Sequence, residues 1–160
     1  MRAVICQDIG AVDDPTLHYI VCAKPLLTRL QQILTQTAGF ALLVMNKGGR
    51  VPMLDVPLAL AAQQLASGSE ELRALPVPEP ARHHHHHAIQ AVAVMRQAID
   101  LVAVCMRCGR DDPARAALTH RLRVATEHLR VASQLPGFGM VDLTQACCAC
   151  HATPPHTVNL

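Results

Sequence analysis

Residues 76–109, PVPEPARHHHHHAIQAVAVMRQAIDLVAVCMRCG, decide how this chain folds. Pro76, Pro78 and Pro80 exclude a helix interior, because proline lacks the amide hydrogen and its ring clashes with the preceding turn. A helix is therefore expected to open in the histidine run that follows and to continue, free of proline and glycine, to Gly109. Along it, Gln90, Gln97, Asp100 and Arg107 fall near one another on a helical wheel and leave a wide apolar surface. Such a helix needs cover on most of its circumference, so it is expected at the centre of the molecule, with a partner helix or a second copy supplying any cover the chain does not.

The segments on either side read as helices that could provide this cover. From Pro25, residues Leu26, Leu30, Ile33, Leu34, Thr37, Phe40, Ala41 and Val44 keep one face apolar at helical spacing, and Asn46-Lys47-Gly48-Gly49 supplies a stop. The preceding TLHYIVCAK extends this helix backward only if Pro25 kinks it. Asp55 reads as the N-cap of a second helix, with Pro57 in its first turn and Leu58, Ala61, Ala62 and Leu65 facing inward. Ser67-Gly68-Ser69-Glu70 reads equally well as a break or as a restart through a capping box. Beyond the central helix, Asp112-Pro113 caps and opens another, whose Leu118, Leu122, Ala125, Leu129 and Ala132 form a bundle seam. Pro136-Gly137-Phe138-Gly139 ends it, and Met140 to His151 is expected to form one last short helix.

The expected architecture is all-α. It is an up-down-up-down four-helix bundle with an irregular N-terminal arm over residues 1–15 and a short C-terminal helix, in a single domain spanning 1–160. A Pro-rich linker at 76–82 separates its two helical halves. Composition agrees: hydrophobic residues make up 51% but aromatic ones only 2%, so the core must be aliphatic, built largely from the helix formers Ala and Leu.

A formal charge of +2 is too small for a polyanionic partner, and no coherent basic face is visible, so nucleic acid is not expected. A membrane helix is not expected either. AGFALLVM is too short, and the stretch from Ala88 to Met106 carries Arg96 and Asp100 near its middle. MRAVICQDIGAVDDP has no apolar leader run, and seven cysteines without an export signal suggest reduced thiols or metal ligands in the cytoplasm. Phosphate loops, His-Glu-x-x-His and nucleophile elbows are absent, so a non-catalytic role is expected.

The chemistry-bearing feature is the end of the chain, QACCACHATPPHTVNL, where Cys147, Cys150 and His151 form C-x-x-C-H. In that pattern two thiols can form thioethers with haem vinyl groups while the histidine becomes an axial iron ligand. Placed near the end of a helical bundle, the motif resembles cytochrome c′. The resemblance covers five motif residues, and it implies covalent haem c on Cys147 and Cys150 with His151 as the proximal ligand. A second pair, Cys105 and Cys108, has the same gap and could join Cys147 and Cys150 in a tetrathiolate zinc site, although the intervening stretch is longer than a compact zinc ribbon uses.

Helix geometry favours a different meeting. The helix from His83 to Cys105 is about 33 Å long, and its successor returns antiparallel, so the tail should emerge at the histidine end. There His83 and His87, four apart on one helical face, are suited to join Cys147, Cys150 and His151 around zinc or copper. Against this stands a metal-free helical interaction protein, such as a homodimer, in which the histidines form only a solvated helix start. Cys6 and Cys22 are expected as small core residues, Met45, Met95, Met106 and Met140 as core filler, and His120 and His128 as exposed side chains off the seam.

Overall fold

The computed structural model describes residues 13–47, 51–108 and 112–135, and every regular element among them is helical. The helices are α1 (Asp14–Lys47), α2 (Asp55–Arg73), α3 (Arg82–Cys105) and α4 (Pro113–Ala132), with 3-10 turns at Pro52–Leu54 and Glu79–Ala81. The protein is all-α. The expected C-terminal helix, Met140 and most of the expected N-terminal arm lie outside the described residues.

α1 begins earlier than the arm reading allows. Asp13 Oδ1 accepts a hydrogen bond from the Thr16 amide at 2.9 Å, satisfying one orphan donor of the first turn, and Pro15 occupies that turn. The helix then passes through Pro25 without ending. Proline removes the hydrogen bond to the carbonyl of Val21, and both residues lie on the exposed side, where water can satisfy that oxygen.

In α2, Asp55 is the first helical residue rather than the cap, because the 3-10 turn at Pro52–Leu54 leads directly into the helix. No break occurs at Ser67–Glu70. Gly68 and Ser69 are buried, and Gly68 sits against Leu30 of α1, so packing outweighs the weak helix propensity of this stretch. The Ser67 hydroxyl donates to Glu71 Oε1 at 3.1 Å and caps no new helix. Between α2 and α3 the linker is shorter than expected, since the 3-10 turn occupies Glu79–Ala81 and Arg82 is already helical.

α3 packs against α1, α2 and α4. It buries Ala88, Ala91, Val92, Val94, Met95, Ala98, Ile99, Val102 and Cys105, while Gln97, Asp100 and Arg107 stay exposed. Its apolar surface is thus largely covered within the chain. This agrees with the central position expected for α3; among the described residues the most exposed large apolar side chains are Met53, Val56 and Val21, on the approach to α2, on α2 and on α1. By length and composition Glu79–Cys105, with a mean hydropathy of 1.6, could cross a membrane; in this fold half of its most apolar window is buried.

Asp112 caps α4 as expected, accepting from the Ala114 amide at 2.8 Å with Pro113 in the first turn. Leu118, Ala125, Leu129 and Ala132 are buried along the predicted seam, and Leu122 packs at its edge. The shared core includes Leu30, Ile33, Leu65, Leu72, Met95 and Leu118, each fully enclosed and each stabilising the fold by about 1.5–3 kcal/mol. Met95 and Met106 are core residues, as expected.

Candidate metal centre at the histidine end

The position of the histidine run follows from the packing just described. Ala81 and Ala88 are buried and anchor α3 on either side of His83–His87, so the five imidazoles radiate from a fixed turn and a half of helix. His84 and His87 reach α4, and His85 reaches α1. His84 Nδ1 lies 3.0 Å from the carbonyl oxygen of Val131, so it must carry the proton and donate, which leaves its Nε2 with a free lone pair. His87 Nδ1 lies 2.8 Å from His128 Nδ1, an arrangement in which one ring donates and the other accepts. The Tyr19 hydroxyl shares a 3.2 Å hydrogen bond with His85 Nδ1, and the two rings meet edge to face.

These contacts bring the start of α1, the start of α3 and the end of α4 together. The last described residue, Leu135, therefore lies on the side of the molecule where the histidines are, and Cys147, Cys150 and His151 follow it in sequence. Those three residues lie outside the described residues. His83 and His87 do share a face, with ring centroids 4.7 Å apart at a steep mutual angle.

At His85 and His87 the surroundings favour the neutral imidazole, the form that binds metals. Burial, followed by the neighbouring His83, His128, His86 and His84, holds His87 below the usual histidine value. His85 is lowered by burial and then by His86. Tyr19 is pushed up to about 12 by burial, so it remains a neutral phenol across the physiological range. Glu127, next to His128 in sequence, is held below the usual carboxylate range chiefly by its hydrogen bond to Arg130, with smaller contributions from His128 and His87.

The Cys105/Cys108 pair sits at the opposite end of α3 and is chemically different. Cys105 is fully buried and burial pushes its thiol pKa up; Cys108 is raised first by donating a hydrogen bond to Asp112. Both environments favour the protonated thiol, whereas zinc needs thiolate. Cys22 is half-buried rather than a core residue, its sulfur 3.7 Å from His18 Nε2 on the same helix, and Cys6 lies outside the described residues. Among the described residues, no three His, Cys, Asp or Glu side chains converge closely enough to hold a metal.

His128 corrects the sequence reading. It is half-buried and bonded to His87, whereas His120 is exposed as expected. The missed signal was adjacency: His128 precedes the seam residue Leu129 and His87 precedes the buried Ala88, so both flank the α3–α4 contact. Tyr19 was also missed as a neighbour of the run, because its contact with His85 spans 66 residues. No family model, curated protein or solved structure matches this chain.

Proposed function

We propose that this protein is a non-catalytic binder of a transition metal, zinc or copper, at the histidine end of its helical assembly. Cys147, Cys150 and His151 would supply thiolate and imidazole, and His83 and His87 would complete the set. The observation that supports this reading is the return of α4 along α3, which brings the last described residues of the chain beside the histidine run (His84 with Val131, His87 with His128). From Leu135 to Cys147 there are 12 residue steps, and extended chain covers about 3.3 Å per residue, so the cysteines are well within reach of the imidazoles. Mixed thiolate and imidazole donors suit zinc or copper.

The test is an absorption spectrum of the purified full chain with metal analysis of the same sample. Stoichiometric zinc or copper that is lost on Cys147→Ser with Cys150→Ser supports the proposal. A Soret band surviving acid-organic extraction would assign the same motif to covalent haem c instead. Finding neither would sink both and leave a metal-free interaction protein.

A further inference from the structure

We propose that the solvent side of α1 is the interface of an antiparallel homodimer, in which a second copy of this chain lays its own α1 alongside about a twofold axis near Gln32. The inference goes beyond the metal reading and does not depend on it.

Three observations on α1 carry it. From Val21 to Leu42 its outward positions recur at alternating steps of four and three residues, through Pro25, Thr28, Gln32, Thr35 and Gly39, the spacing with which one helix packs lengthwise on another. This stripe runs opposite the buried face of Ala23, Leu30, Ile33, Thr37 and Val44. It is also uncharged. Between Lys24 and Lys47 the one charged residue is Arg29, and its guanidinium lies 2.6 Å from the Glu71 carboxylate of α2. The Thr28 and Thr35 hydroxyls donate to the carbonyls of Lys24 (3.1 Å) and Gln31 (2.9 Å) one turn back, so a partner can cover them without leaving a donor unpaired. Gly39, finally, weakens a helix interior with no compensation inside the chain. A Cβ there would meet nothing within 4 Å among the described residues, whereas Gly68 packs against Leu30; close approach of a second backbone accounts for such a glycine.

The occupant follows from symmetry. In a twofold interface one patch meets itself, so an antiparallel helix pair needs a stripe that reads alike from both ends. This one does: Leu17 and Val21 close one end, Leu42 and Leu43 close the other, and Thr28 and Thr35 stand on either side of Gln32. Antiparallel docking about Gln32 brings Val21 of one copy, 64% exposed, toward Leu42 of the other, 61% exposed, and sets Pro25 near Gly39. It also opposes the two helix dipoles, which a parallel pair would align. From Leu17 to Asn46 α1 is about 43 Å long, and a contact one helix diameter wide over that length buries about 950 Å² in total, the low end for a specific complex, so the dimer is a reversible one.

The test is the mass of the full chain across a concentration series, read by sedimentation velocity with reductant and chelator present, so that neither disulfides nor metal can link the copies. The parent is expected to pass from monomer toward dimer as concentration rises. Leu42→Glu and Val21→Lys should each weaken association at least about tenfold, because each places an unpaired charge in the contact. The two together should restore it to within about threefold of the parent, because in the antiparallel pair the acid introduced in one copy meets the base introduced in the other. Within one helix the two positions are about 31 Å apart, so the rescue cannot arise inside a single chain. Circular dichroism of each variant checks that the helices remain formed. A chain that stays monomeric at every concentration overturns the proposal and leaves this face to a different partner. A dimer that neither single substitution weakens overturns it by placing the contact elsewhere, such as at Met53 and Val56, and loss without rescue in the double variant overturns the antiparallel pairing.

Discussion

The two ends of the α3–α4 pair are closed by different chemistry. At the cysteine end, Asp112 caps α4, the Cys108 thiol donates to the same carboxylate, and Arg115 donates from its guanidinium to the carbonyls of Met45 (3.2 Å) and Val44 near the end of α1. Asp112 is held below the usual carboxylate range, first by its backbone partner Ala114, and arginine stays protonated. These contacts keep one charge state under ordinary conditions. At the histidine end the cross-helix bonds run through imidazole nitrogens, from His84 to the carbonyl of Val131 and between His87 and His128. The same pair of helices is thus closed by a capping carboxylate and a guanidinium at one end and by imidazoles at the other.

The largest test removes what the two ends share. Leu118→Ala should cost about 2–5 kcal/mol in urea unfolding, because it empties a fully enclosed site between them. Imidazole NMR signals that survive intact while α4 loosens would show that the ends are not coupled through this core.

Next in size is the titration of the chain's one tyrosine, read from tyrosinate absorbance. Its pKa is raised from 10.0 to about 12, so the fold favours the neutral phenol; this contribution to stability is complete below pH 10 and is lost as pH rises through 12. A native-state midpoint near 10 would mean that Tyr19 is not packed at the histidine end.

Smaller, and confined to the other end, is Asp112→Ala. Loss of the cap should reduce stability by about 0.5–2 kcal/mol. Because the carboxylate raises the Cys108 pKa, the variant should also alkylate faster at that thiol, with the histidine signals unmoved. Shifted histidine signals would show the two closures to be linked.

The smallest effect is expected from Ser69→Ala. This buried hydroxyl has no partner among the described residues, so its removal should raise stability by up to about 1 kcal/mol and displace neither end. A loss of stability would mean that the hydroxyl is satisfied after all.

Much of the scaffold was legible where local chemistry is decisive. Asp112-Pro113 marked a helix start, and the seam through Leu118, Ala125 and Leu129 marked its buried face, because caps and periodicity act over a few residues. Asp13-Asp14-Pro15 carries the same kind of start signal, although it lies within the stretch read as an arm. Ser67–Glu70 was ambiguous for a physical reason: its local preferences oppose a helix, and only the burial of Gly68 and Ser69 beside α1 resolves the conflict. At the candidate site, the shared face of His83 and His87 could be read from their four-residue spacing. The partnership of His87 with His128 could not, since it depends on the rotation and register of α4 against α3.

Proline placement, apolar periodicity and an almost wholly aliphatic composition were enough to determine an all-α protein with a long apolar helix at its centre, because each acts through the local backbone or through total burial. Which imidazoles meet, whether a thiol is enclosed, and what covers α3 were decided only by the tertiary structure. Those outcomes depend on how helices far apart in the chain are rotated against one another, and a rotation of a single residue step, about 100°, moves a side chain from the contact to the surface.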